Sequence, residues 1–233
     1  MQRLLRGVVA TATLLALAAT CAQAQDAAPR GTDIYHVHFT KAVPGQGSAL
    51  GEALKKPDNS TPMPEHFIVL RHQQGDDWDY CIIQHLGAKA TIDLGRTPPG
   101  AGRDLQAWHN DTFVAGPSWP EFAKAMGLGE SASASAGSIY VVATWREAPG
   151  HRAELSKILR EPQPSKVPVS RVVLQHMEGA AWNFLAVDRY NSWQDFATDQ
   201  AAETPAGAGQ DAWSRIREHS TSHHDTLADR IAP

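Results

Sequence analysis

The chain has 233 residues and contains only two cysteines, Cys21 and Cys81. The first lies in an N-terminal segment that we expect to be removed from the mature protein. An exported protein that keeps one cysteine has no internal disulfide. Cys81 alternates into the apolar run 80–83. We therefore predict a buried core thiol rather than a reactive one.

The chain also has no excess of positive charge, since it contains 21 Lys and Arg residues and 25 Asp and Glu residues. Nucleic acids favour basic surfaces, so we expect no nucleic-acid partner. Beyond the N-terminus no run is apolar enough to cross a bilayer, and we expect no stable membrane span. The G-x-S-x-G, P-loop, dinucleotide and C-x-x-C motifs are absent as well. Without them the sequence leaves open whether the chain is an enzyme.

Residues 1–24 have the pattern of a secretory signal peptide. A basic start is followed by the apolar stretch 7–20 and by Ala22-Gln23-Ala24, which fits the small-x-small cleavage rule. A lipoprotein signal ending at Cys21 is the weaker alternative. We expect export to the periplasm or the medium, with 25–33 as a short polar leader.

The rest of the sequence carries a long internal repeat. Ile34-Tyr35 and Pro44-Gly45 recur 105 residues later as Ile139-Tyr140 and Pro149-Gly150. A repeat of this length indicates a duplicated domain rather than a solenoid unit. We assign unit 1 to 34–130 with an insert at about 87–117, a Ser/Ala linker to 131–137, and unit 2 to 138–233.

Hydrophobic periodicity predicts the order β-α-β-β-α in each unit. Helices are expected at 48–56 and 152–160, and second helices after the capping-box serines Ser118 and Ser192. Strands are expected at 34–40, 67–72 and 78–85, and again at 139–145, 171–176 and 182–188. The C-terminal segment 211–231 has the spacing of a long helix. No clear fourth strand follows either second helix, although 91–94 could supply a short one.

The predicted fold class is α+β, with two tandem ferredoxin-like units. Each antiparallel sheet has helices on one face and leaves the other face bare. Two such faces can cover each other within one chain. The sequence therefore predicts an intrachain pseudo-dimer with barrel-like sheet packing.

The segment from Asp188 to Phe196, Asp-Arg-Tyr-Asn-Ser-Trp-Gln-Asp-Phe, resembles the S-W-x-[DE]-F helix entry of the dimeric α+β barrel superfamily. The similarity extends to NIPSNAP-like and antibiotic-biosynthesis-monooxygenase-like members, and to haem-binding relatives of chlorite dismutase. The resemblance implies a cavity within the barrel or between sheet and helices. It also allows a small-molecule ligand and a homodimer as partners, while fold alone does not give function.

His36 and His38 are the first candidate site residues. Alternation along a strand places both imidazoles on one face, about 6.6–6.8 Å apart. The second unit has Val141 and Ala143 at the matching positions. This asymmetry fits a ligand or metal site kept in one half, and it also fits drift on a half-exposed strand. A metal site would need a third ligand.

One histidine position is kept in both units, as His72 in unit 1 and His176 in unit 2. Each of the two lies at a strand end near a tryptophan. They either position a hairpin by a hydrogen bond or line a cavity. If they line a cavity, the predicted ligand-binding residues are His36, His38, Arg71, His72, Trp78 and His176.

A separate metal set is predicted on the expected C-terminal helix. His219 and His223 are one helical turn apart, with Asp225 nearby. The alternative is an amphipathic helix with a polar flank. The string His223-His224-Asp225-Thr226 also resembles 109–112, which suggests that the two segments pack equivalently.

Three functions follow from these patterns. The first is an exported protein that binds a small ligand in a cavity of the barrel-like scaffold. The second is a cofactor-free monooxygenase-type enzyme that uses a cavity histidine as base. The third is a metal- or haem-binding protein. The sequence assigns no particular cofactor.

Overall fold

The computed structural model describes residues 31–88, 102–129, 137–162, 167–202 and 212–233. The predicted signal peptide, most of the leader, the short strand at 91–94 and most of the Ser/Ala linker lie outside these residues. Eight strands and five helices in the described ranges form a mixed α+β fold.

The helices and strands alternate along the chain. The strands are β1 (Asp33–Ala42), β2 (Phe67–Gln74), β3 (Tyr80–Ala88), β4 (Gln106–Gly116), β5 (Ile139–Glu147), β6 (Ser170–Glu178), β7 (Phe184–Tyr190) and β8 (Ser220–Ala232). The helices are α1 (Gly47–Leu54), α2 (Trp119–Ala125), α3 (Arg152–Arg160), α4 (Trp193–Ala202) and α5 (Ala212–His219). All six predicted strands and the four predicted helices of the repeat are present to within a few residues.

The eight strands form one closed antiparallel barrel in the order β1-β3-β2-β8-β5-β7-β6-β4. Within it, β4-β1-β3-β2 and β8-β5-β7-β6 are two four-stranded halves of the same order. The pairs β2–β8 and β4–β6 join the halves. Closure leaves no unpaired sheet edge, the feature that exposes open sheets to aggregation.

The two halves also share a register where their outer strands pair. His38 of β1 lies opposite Asp111 of β4, and Ala143 of β5 lies opposite Asp225 of β8. The strings 109–112 and 223–226 therefore occupy matching strand positions, as their likeness suggested. Both Pro-Gly turns after the first strands place glycine in the left-handed region, at φ +81° for Gly45 and +84° for Gly150.

Three apolar clusters stabilise the fold. The largest fills the barrel interior, where Val37, Ile83 and Val142 pack with Phe122 of α2 and with Met126, which follows that helix. A second cluster lies between the outer sheet face and helices α3 and α5, and a third lies under α1. The interior is a packed core rather than an open channel.

Each half has a fourth strand that the sequence pattern did not reveal, and in the first half it precedes the second helix instead of following it. In the first half β4 lies within the predicted insert and pairs with β1, and in the second half β8 pairs with β5. β4 was missed because its outer face is polar for most of its length, so only its last residues have the apolar content of a strand.

The predicted long C-terminal helix is wrong. Helix α5 ends at His219 and strand β8 begins at Ser220. The helical spacing in 211–231 is overridden because β8 lies between β5 and β2 and is hydrogen-bonded on both sides. Its Ser, Thr and His residues also have weak helix propensity.

The predicted helix starts are supported by capping contacts. At α2 the Ser118 backbone N–H donates to Glu121 as part of a capping box. At α4 the Asp195 backbone N–H donates to Ser192 Oγ at 3.1 Å. None of the helices in the described ranges combines the length and apolar character needed to cross a membrane.

Candidate metal centre

His36 and His38 lie on the same face of β1, as the alternation predicted, and this is the outer face of the barrel. Tyr35, Val37 and Phe39 point the other way and pack in the barrel interior. The two imidazoles are half-buried, with ring centroids 6.1 Å apart. Packing of the alternate residues therefore fixes the side of the sheet on which the pair stands.

Asp111 of β4 completes this cluster. Its Oδ1 atom lies 2.9 Å from Nε2 of His36 and 2.6 Å from Nδ1 of His38. In the part of the chain that the structure describes, this trio is the one group of three His, Cys, Asp or Glu ligand atoms that lie within 4.8 Å of one another. The third ligand that the histidine pair required is thus supplied by the neighbouring strand. We refer to His36, His38 and Asp111 as the outer-face triad.

The charge on Asp111 is favoured by its neighbours. Partial burial opposes ionisation, but the hydrogen bonds from His36 and His38 outweigh it and hold the pKa of the Asp111 carboxyl well below its ordinary value. The side chains of His36 and His38 are each 12% exposed and that of Asp111 is 42% exposed. The triad thus combines an ionised carboxylate with partial exposure to solvent.

Two further side chains hold the triad in place. Nε2 of His109 lies 3.3 Å from Oδ2 of Asp111, and the His109 ring stacks on His38 at 5.3 Å. The Gln106 amide nitrogen lies 3.3 Å from Nε2 of His38. Partners of this kind fix ring orientation in metal sites.

The second half of the barrel has only part of this arrangement. Asp225 stands opposite Ala143, and Nε2 of His223 lies 3.6 Å from Asp225 Oδ2. Val141 and Ala143 offer no ligand atoms where the first half has His36 and His38. Asp225 is therefore the residue with which the role of Asp111 can be compared.

The predicted metal set His219, His223 and Asp225 is not brought together. His219 ends α5, and its Nδ1 lies 2.8 Å from Nδ1 of His151. His223 and Asp225 lie on β8 instead of a continuing helix. The one-turn spacing between His219 and His223 on which the prediction rested is absent because the chain changes from helix to strand at Ser220.

The other predicted ligand-binding residues lie at separate places. Arg71 points outward and donates two hydrogen bonds to Asp229, beside a groove of about 500 Å³. Trp78 is 4% exposed inside the barrel, with His72 edge-on to it at 5.6 Å. His176 accepts a hydrogen bond from the Ala180 backbone N–H. The six residues do not line one common cavity. His36, His38 and Arg71 lie on the outer face of the sheet, whereas Trp78 lies in the barrel interior.

Asp111 and His109 were missed as site residues from the sequence. Their signal was the resemblance of 109–112 to 223–226, which pointed to equivalent packing without showing which strand each segment joins. The pairing of β4 with β1 is a contact between residues far apart in the chain. Periodicity within one segment does not reveal such a contact.

The fold and the triad define a class: a closed eight-stranded α+β barrel with a two-histidine, one-carboxylate cluster on its outer face. No protein-family profile matches the chain, and no curated protein matches it in sequence. Among solved structures, the fold is similar to that of a candidate monooxygenase from Lactobacillus acidophilus, with a TM-score of 0.53 and 11% identity over 85% of this chain and 94% of that one. An anthrone oxidase-like protein matches with a TM-score of 0.48 and 14% identity over 86% of this chain and 92% of that one. At 11% and 14% sequence identity, the similarity to these two proteins is a similarity of fold.

Proposed function

We propose that this chain is a metal-binding protein and that the outer-face triad holds one divalent first-row transition metal. The observation that carries the proposal is the convergence of His36, His38 and Asp111 ligand atoms within 4.8 Å. Of the three functions left open by the sequence, this geometry favours metal binding over an apolar ligand cavity. The packed barrel interior supports the same choice.

The spacing of the ligand atoms suits a metal ion. Imidazole nitrogen and carboxylate oxygen bind such metals at about 2.0–2.2 Å, so neighbouring ligands at right angles stand about 3.0 Å apart. The observed separations from Asp111 Oδ1 are 2.9 and 2.6 Å. A metal ion can therefore take the place of the protons in these two hydrogen bonds.

The donor set also favours a second, more specific function. Two histidines and one carboxylate on one side of a metal leave open positions, the arrangement found in non-haem iron(II) oxygenases. The monooxygenase alternative from the sequence agrees in the type of reaction with the name of the L. acidophilus protein of similar fold, but that alternative was a cofactor-free one and did not include a metal. We propose iron-dependent oxygenation as the activity to test once binding is established.

We further propose that the chain arose by tandem duplication of a ferredoxin-like unit. The identical strand order of the two halves and the matching pairs His38–Asp111 and Ala143–Asp225 support it. On this view the metal site belongs to one copy only. Export through the N-terminal signal, a small-molecule ligand at the open metal positions and a homodimer remain proposals that rest on the sequence.

Metal titration of the purified protein tests the site. We expect Co²⁺ or Zn²⁺ to bind with one equivalent per chain, measured by isothermal titration calorimetry. Asp111→Asn keeps the shape of the side chain but removes its charge. We expect its affinity to fall by more than the roughly 10–100-fold that loss of an outer partner costs.

The matching position in the second half supplies the control. Asp225→Asn removes a carboxylate at the same register on β8, where no histidine pair faces it. We expect it to bind metal as the parent protein does. Equal affinities of the parent and the Asp111→Asn protein would contradict the proposal, as would equal losses in the two variants.

A further inference from the structure

A second cluster of titratable side chains lies where α2 packs against the barrel, apart from the outer-face triad. It consists of Asp33, His85 and His66, which we call the inner relay. Asp33 and His85 are buried, at 9% and 4% exposure, and His66 is half-buried. The position of His85 opposite Tyr35 places it on the inner face of the sheet.

Hydrogen bonds join the three side chains in a line. Oδ2 of Asp33 accepts the Trp119 backbone N–H at 3.0 Å and lies 2.8 Å from Nε2 of His85. Nδ1 of His85 lies 3.1 Å from Nδ1 of His66. The line runs from a buried carboxylate to a ring at the edge of the buried region.

The proton positions follow from the number of donors. Burial lowers the pKa of His85 although Asp33 opposes this, so the ring is neutral and has one N–H. That N–H donates to Asp33 from Nε2, and Nδ1 therefore accepts. His66 must then donate from its own Nδ1, which leaves its Nε2 with a free electron pair. Among the described residues no hydrogen-bond partner faces Nε2 of His66.

Aromatic stacking fixes the planes of both rings. Trp119 stacks on His66 at 4.5 Å with an interplanar angle of 11°, and on His85 at 5.5 Å with an angle of 15°. The indole thus prevents the rings from rotating out of line. Among hydroxyl groups a phenol, with a pKa of about 10, is acidic enough to give its proton to an imidazole base.

The inner relay is confined to the first half of the barrel. The matching strand positions in the second half are Ser138, Ser170 and Arg189, and Arg189 lies opposite Tyr140 as His85 lies opposite Tyr35. If Asp33 and His85 only stabilised the fold, the pair would not need His66 beside it. The complete line of three groups instead has the order of a carboxylate, an orienting imidazole and a terminal base.

We propose that the inner relay makes Nε2 of His66 a general base for the hydroxyl of a small phenol. In this step the phenol O–H bond breaks, its electron pair stays on oxygen, and a new N–H bond forms at Nε2. His85 and Asp33 act as positioning residues and stabilise the resulting imidazolium. This site is independent of the proposed metal centre.

Nitrogen-detected NMR of the histidine rings tests the proton positions. We expect His66 in the form protonated at Nδ1 and His85 in the form protonated at Nε2. In His85→Phe, His66 should return to the form protonated at Nε2 that free imidazole side chains favour. If that variant fails to fold, the spectrum of the parent protein still decides, because a His66 ring protonated at Nε2 overturns the proposal.

Binding of 4-nitrophenol tests the base. At a pH slightly below the pKa of the free phenol, we expect the parent protein to increase the visible absorbance of phenolate and His66→Gln to abolish the increase. His151→Gln is the matched control, since His151 and His219 form another pair of imidazoles 2.8 Å apart, without a carboxylate behind it. No increase with the parent protein, or an equal increase with His66→Gln, overturns the proposal.

Discussion

At the scale of single residues, the environment assigns each histidine its role. His36 and His38 share one carboxylate oxygen at the sheet surface, whereas His85 is buried against another carboxylate. His176 instead accepts a backbone hydrogen bond at Nε2, which favours the neutral form of its ring. Imidazole side chains thus have three different roles in this protein: candidate metal ligand, part of a proton relay and hairpin contact.

The pH dependence of stability should report on His176. Burial, with a contribution from Arg152 that Glu178 opposes, lowers its pKa in the folded protein. As the pH falls below the ordinary histidine pKa of about 6.5, the unfolded chain therefore binds more protons, and the free energy of unfolding decreases. We expect urea unfolding at neutral and mildly acidic pH to show this loss, and His176→Gln to show a smaller one. Equal losses in the two proteins would contradict this role.

At the scale of elements, strands β4 and β8 decide what each half can do. Both carry a His-x-Asp sequence on the outer face, and both pair in register with the first strand of their half. The halves differ in the residues that face the aspartate. A metal site therefore depends on two strands together, and the first strand supplies the difference.

Transfer of the histidine pair to the second half should create a second site. In Val141→His/Ala143→His the new rings stand opposite Asp225 as His36 and His38 stand near Asp111. We expect Co²⁺ binding to rise from one to two equivalents per chain. The single variant Val141→His lacks one ligand and should remain at one equivalent. A folded double variant that still binds one equivalent would show that the shared register is not sufficient.

At the scale of the whole molecule, the barrel joins both halves into one unit. β8 pairs with β5 of its own half and with β2 of the other, and the interior cluster contains residues of both halves. Neither half can lose its strands without exposing the core of the other. Cooperative behaviour follows from this shared core.

We therefore expect a single unfolding transition in denaturant, with coincident tryptophan fluorescence and far-ultraviolet circular dichroism. Ala228 of β8 is fully buried in the interior cluster. Ala228→Asp should shift both signals together, because an unpaired buried charge costs about 3–5 kcal/mol. Two separated transitions in the parent protein would show that the halves unfold independently.

The pattern of the sequence determined much of the fold. Alternating apolar residues located six strands, and helical hydrophobic periodicity and the capping serines located four helices. These signals are local, since each depends on residues within one or two turns of chain. The placement of His36 and His38 on one common face was predicted for the same reason.

Only the tertiary structure decided the remaining features. The change from helix to strand at Ser220, the place of β4 beside β1 and the closure of the barrel depend on hydrogen bonds between distant segments. The same holds for the meeting of Asp111 with His36 and His38, and of Asp33 with His85 and His66. The sequence by itself determined which segments could become strands and helices. The pairing of the strands decided which side chains meet, because backbone hydrogen bonding fixes the register and the register fixes the neighbours.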